Sequence, residues 1–152
     1  MHQSYFLPRR YAPSKASVWG FISAGSPSDP APFQPIKKLP IPQGFRRFGM
    51  LAFQITGDSM TLPDGSGFRE GDWVLVDRHD LCTDRGWLFA FGLQDGSMIV
   101  KRYWLHGGRP AMCSDNPAYD PVKIDSSVRN RGRVYATSRD GRNWMMTKYR
   151  GN

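Results

Sequence analysis

Lysine is an unusual residue to find in a run of large apolar side chains, and Lys101 stands in one, MIVKRYWL (98–105). Alternation along an extended strand puts Ile99, Lys101, Tyr103 and Leu105 on one face. Lysine is rarely buried unpaired, which leaves two readings. Either this is an edge strand whose lysine reaches solvent along its aliphatic stem, or the amine is desolvated and titrates low enough to serve as a general base. Bringing a lysine from about 10.4 to near 7 costs roughly 4–5 kcal/mol of differential solvation, so the second reading needs a buried site with a purpose. Its complement is Ser59 in the turn GDSM (57–60), which follows the strand-like LAFQIT. Gly-Asp-Ser is ordinary turn composition. A serine just after a strand, however, can also present its hydroxyl outward, with nearby backbone N–H groups, those of Ser59 and Met60 being the candidates, free to bind an oxyanion. Serine with neutral lysine is one of the known pairings of nucleophile and base. Histidine offers no substitute: His2 is near the start, His79 is flanked by charges in RHD, and His106 precedes Gly-Gly. Cys82 and Cys113 lack CxxC spacing and there is no His-rich cluster, so no metal or other cofactor is expected and a disulfide scaffold fits poorly.

The elements that would position these residues are short and β-like. LAFQITG (51–57), WVLVD (73–77), WLFAFG (87–92), MIVKRYWL (98–105) and RVYAT (133–137) are rich in β-branched and aromatic residues. Turn-like PDGSG (63–67), QDGS (94–97), HGG (106–108) and SDNPAYDP (114–121) separate them. No segment carries helical periodicity, and the expectation is an all-β body over residues 46–137. Eight of the twelve prolines fall between Pro8 and Pro42, which makes helices and central strands improbable there and predicts an extended arm over residues 1–45. A basic tail follows over 138–152. The 152 residues carry a net charge of +8, distributed as +6 over residues 1–50, −5 over 51–100 and +7 over 101–152. Such a chain has neither the composition of a disordered protein nor an apolar run fit for a membrane span or signal peptide. A cytoplasmic protein with no membrane partner is the expectation.

Five stretches occur in a telling order: GDSM (57–60), REGDWVLVD (69–77), VKR (100–102), CSDNPAYDPVKI (113–124) and GRV (132–134). In this the chain resembles the LexA-like self-cleaving serine peptidases of family S24, which comprise self-cleaving repressors and the UmuD-like proteins of SOS mutagenesis. The resemblance implies a LexA C-terminal-domain-like (β-clip) body, with Ser59 as nucleophile and Lys101 as its base. It also implies a self-cleavage site in the arm, at an Ala-Gly or Cys-Gly bond. Ala24-Gly25 lies 35 residues before Ser59 and fits in both composition and distance. Ser59 and Lys101 stand 42 apart, more than is usual in the family. The extra residues fall in TLPDGSGFRE (61–70) and RHDLCTDRG (78–86), both turn-rich, so the insertion should sit at the surface and leave the pair intact.

The 24 residues ahead of the expected cut are too few for a helix-turn-helix domain, which favours the UmuD-like branch over the repressors. That branch implies cleavage stimulated by a RecA–single-stranded DNA filament. It also implies a homodimer of the 25–152 product and assistance to an error-prone Y-family DNA polymerase in translesion synthesis. The tail, with Arg139, Arg142, Lys148, Arg150, Trp144 and Tyr149, either contacts single-stranded DNA or a partner, or is a solvated extension. Three other readings compete. One is a polymerase- or DNA-binding β module that retains an unused dyad. Another is a signal-peptidase-like enzyme, which would need a membrane anchor. The last is a basic β-barrel that simply binds nucleic acid. The removed piece would take only Arg9, Arg10 and Lys15 with it, leaving the product at a net +5.

Overall fold

The computed structural model describes residues 12–24 and 36–150 and is all-β, as expected, with ten strands among them. They are β1 Lys15–Ser23, β2 Lys37–Pro40, β3 Met50–Thr56, β4 Trp73–Asp77, β5 Leu88–Gly92, β6 Met98–His106, β7 Arg109–Cys113, β8 Val122–Lys123, β9 Arg129–Ser138 and β10 Trp144–Met146. One 3-10 turn, Gln43–Phe45, follows β2. The sheet runs β2-β1-β3-β4-β9-β5-β6-β7-β8, with β10 on β9 and an additional pairing of β1 with β6. That last pairing closes β1, β3, β4, β9, β5 and β6 into a ring. A closed ring removes the unpaired edges that an open sheet would expose there. Pleating then sorts the side chains. Ile22, Phe53, Ile55, Val74, Val76, Leu88, Ala90, Val100 and Val134 come from all six ring strands and form one buried cluster. Their neighbours in the chain face the other way, into two outer clusters built around Tyr135 and Leu75 and around Phe89 and Ile99.

The five strands expected in the body form where the β-branched and aromatic runs stand. The arm differs from expectation. Residues 15–23 are not a free extended segment but a strand with partners on both sides: antiparallel to β2, parallel to β3, and parallel to β6 at Ser23↔Ile99. Proline density hid it. Lys15–Ser23 itself contains no proline, and its Ala16 and Val18 are buried in the cluster around Tyr135 and Leu75 while Ile22, beyond the shift in register, is buried in the ring interior. Gly20, at φ +107, sits where the register with β3 shifts between Val18 and Phe21, a conformation that suits a bulge and favours glycine. The tail is likewise docked over its described part. Its β10 pairs with β9, Thr147 N–H donates to Tyr135 O, and Arg150 N–H donates to Gly86 O.

Candidate active site

The strand β3 ends at Thr56 and the chain turns at Gly57, whose φ of +83 is open to glycine and strained for other residues. This turn carries Ser59 inward, where it is 0% exposed. Strand β6 is no edge strand: it pairs with β5 from Met98 to Arg102, with β7 from Arg102 to His106, and with β1 at Ile99. Lys101 on it lies opposite Phe89, and Ile99 and Tyr103 pack with Phe89 as alternation required. The amine is not snorkelled to solvent; Lys101 is 6% exposed. Its Nζ lies 2.5 Å from Ser59 Oγ. Burial is the largest influence on its titration and draws it from near 10.5 to about 8, against the opposing pull of Asp115 and then Cys113.

The third participant arrives on β1. Ser23 is paired with Thr56 on one side and Ile99 on the other, so the next residue, Ala24, is delivered between the serine turn and the lysine strand. Ala24 is 0% exposed, its N–H donates to Thr56 O at 2.6 Å, and its carbonyl oxygen accepts from Lys101 Nζ at 2.9 Å. Thus Ser59, Lys101 and Ala24, separated by up to 77 positions, share one buried point. Gly25, the other side of the expected scissile bond, lies outside the described residues. Among the described residues, the Ser59 and Met60 N–H groups make no hydrogen bond to the Ala24 carbonyl; the donor there is Lys101. Of the two loops with extra residues, 61–70 docks on the serine turn, with Phe68 N–H donating to Met60 O at 3.1 Å and Glu70 accepting from Gly57 N–H at 3.3 Å; in 78–86, Asp80 and Asp84 bind Arg133.

One part of the site was missed from the sequence. The strap 113–119, read as a turn and as part of one of the five ordered stretches but given no role at the site, frames the pair. Asn116 N–H donates to Ser59 O at 2.8 Å, Asp115 N–H to Met60 Sδ at 3.3 Å, and Ser114 Oγ lies 2.8 Å from Lys101 Nζ. Tyr119 places its ring centroid 5.8 Å from the amine and donates its hydroxyl to Asp58. Of the tail cations singled out for nucleic acid, Arg139 is committed to Asp72 at 2.7 Å and Arg150 lies 3.8 Å from Asp115. No group of His, Cys, Asp and Glu able to hold a metal occurs among the described residues. No helix among them is long and apolar enough to cross a membrane.

An all-β body that holds a serine hydroxyl against a buried amine, with a backbone carbonyl at the same amine, has the layout of a serine-peptidase-like domain. The family model described as Peptidase S24-like matches residues 17–135, and the chain belongs to that family. It is similar to the LexA repressor of Mycobacterium leprae (strain Br4923), 33% identical over 111 residues that make up 72% of this chain and 45% of the relative. The LexA repressor of Mycobacterium bovis (strain BCG / Pasteur 1173P2) is 32% identical over 112 residues, 72% of this chain and 44% of the relative. That of Verrucomicrobium spinosum is 34% identical over 68 residues, 45% of this chain and 31% of the relative. The chain therefore spans less than half the length of these curated relatives.

Proposed function

We propose that this chain is a UmuD-like SOS-response protein that cuts itself between Ala24 and Gly25. The observation that carries the reading is a single buried amine, Lys101 Nζ, in contact with both Ser59 Oγ and the Ala24 carbonyl oxygen. In the proposed reaction the neutral Lys101 amine takes the hydroxyl proton as Ser59 Oγ bonds to the Ala24 carbonyl carbon. The resulting ammonium lies beside the developing oxyanion and stabilises it. The Ser59 and Met60 N–H groups, not bonded to the Ala24 carbonyl in the ground state, are the candidate backbone donors once the carbonyl carbon has moved onto Oγ. Collapse breaks the Ala24–Gly25 bond, and Lys101 returns the proton to the leaving Gly25 amine. Water then hydrolyses the ester between Ser59 and Ala24. Substrate and enzyme are one chain, so the position of the arm, not local concentration, governs the rate.

The family membership supports a self-cleaving peptidase with an SOS-related role. By the UmuD-like resemblance, a RecA–single-stranded DNA filament favours the docked arm. The 25–152 product dimerises and assists a Y-family DNA polymerase. Incubating the chain with an activated recombinase filament, followed by mass spectrometry, tests this. A new N-terminus at Gly25 that is lost in Ser59→Ala supports the bond, the nucleophile and the partner class together. A chain that stays whole both with the filament and at alkaline pH overturns the proteolytic reading.

A further inference from the structure

Ser114 belongs to neither of the motifs that carry the proposed chemistry, yet the Lys101 amine has it as a third oxygen neighbour. The three are Ser59 Oγ at 2.5 Å, Ser114 Oγ at 2.8 Å and Ala24 O at 2.9 Å. A neutral amine has two N–H bonds and one lone pair. The Ala24 carbonyl can only accept, so it engages one N–H. A hydroxyl can accept the second, and the lone pair then has Ser59 alone to face. Without that second acceptor the amine is free to turn about its Cε–Nζ bond and aim an N–H at Ser59, an orientation in which it cannot take the proton. We propose that Ser114 is a positioning residue of this site, accepting one N–H of the neutral Lys101 amine and so directing the lone pair at the Ser59 hydroxyl.

The strap that carries Ser114 is built to hold it still. Asp115, the next residue, is gripped by Arg102 through two parallel bonds of 2.8 Å, Nε to Oδ1 and Nη2 to Oδ2. Arg102 Nη1 in turn donates to Gly86 O at 2.7 Å and Lys148 O at 2.9 Å. Asn116 N–H donates to Ser59's own carbonyl. Ser114 is therefore held before by Cys113, which pairs with Arg102 on β6, and after by Asp115 and Asn116, which tie it to the serine turn and, through Arg102, to Gly86 and the C-terminal tail. The charged or titratable groups around the amine are Asp115 and Cys113, next to Ser114, and Tyr119 with its partner Asp58. Arg102 adjoins Lys101 on β6 but is occupied by Asp115.

This inference rests on the self-cleavage reading, and two readouts separate them. In the ammonium all three N–H bonds donate, and a charged donor bonds more strongly, so deleting the Ser114 acceptor costs the charged form more than the neutral one. Ser114→Ala is thus expected to lower the maximal cleavage rate about ten-fold while moving the midpoint of the rate–pH curve down by about one pH unit. Ser114→Thr, which keeps the hydroxyl, restores both. Mere loosening would hydrate the amine and move the midpoint up instead. The second readout needs no cleavage. In a carbon-13-lysine-labelled Ser59→Ala chain, the Lys101 Cε titration followed by NMR should fall in midpoint when Ser114→Ala is added, and return with Ser114→Thr. A Lys101 midpoint that stays or rises overturns the role of Ser114. A wild type that yields no fragment, with the midpoint still falling, defeats the cleavage reading and upholds the Ser114 contact.

Discussion

The amine at position 101 is pulled two ways, and the balance sets a pH dependence. Burial opposes its charge more strongly than Asp115 and Cys113 support it, leaving it at about 8. The base form therefore populates as pH rises, and self-cleavage should climb through pH 8 and level off above it, measured as fragment yield against time. The same asymmetry bears on stability. The folded chain holds this proton less tightly than the unfolded one, whose lysine titrates near 10.5, so the contribution is unfavourable below about 8 and is relieved between there and 10.5. At neutral pH the penalty is about 3 kcal/mol. Lys101→Met removes the titration, so wild type should gain about that much relative to the variant between neutral and strongly alkaline pH, read from denaturant unfolding. Ala24 carries a different constraint. Its side chain has no exposed surface and packs with the ring interior. Ala24→Leu should displace the end of β1 at a cost of about 1–3 kcal/mol and sharply reduce cleavage, while Ala24→Gly leaves room.

Among the elements, the strap and its clamp matter most. Arg102 and Asp115 are both largely buried, and removing Asp115 leaves the Arg102 charge with only the Gly86 and Lys148 carbonyls and no counter-charge. Asp115→Ala should destabilise the fold by about 3–5 kcal/mol, measured as the midpoint of denaturant unfolding, and slow cleavage beyond that by freeing Ser114. How far these elements could be read from the sequence followed from how local their cause is. The strands β3, β4, β5, β6 and β9 announce themselves by β-branched and aromatic runs. Strand β1 is held by pairing with partners far along the chain and lies among prolines, so composition alone concealed it, although the alternation of Ala16, Val18 and Ile22 was there to see. Strand β7 begins Arg109-Pro110, and β8 and β10 are two and three residues long. Ser59, Lys101 and Ala24 could be singled out because each stands in a recognisable turn, strand or small-residue site. Ser114 could not, since its meaning comes from Arg102 and Lys148 folding behind the strap.

For the whole molecule, the arm is both the proposed substrate and one of the six strands that close the ring. The cut would fall just after β1, yet Ala16, Val18 and Ile22 would remain buried and the hydrogen bonds to β2 and β3 intact. Residues 1–24 should therefore stay bound to residues 25–152 after cleavage under native conditions and separate in denaturant, as size-exclusion chromatography with mass spectrometry would show. Loss of the piece without denaturant would mean that β1 is held weakly. The charge plays a smaller part than its total of +8 suggests. Arg139 and Arg133 are tied to carboxylates within the fold, so the surface field is not the sum of the cations. The central claim is that one chain contains nucleophile, base and bond. Its most direct test needs no partner: incubate the purified chain, Ser59→Ala and Lys101→Ala at alkaline pH and read intact masses over time. The account predicts that wild type alone yields the pair 1–24 and 25–152. A wild type that stays whole, or fragments that appear equally in Ser59→Ala, would contradict it.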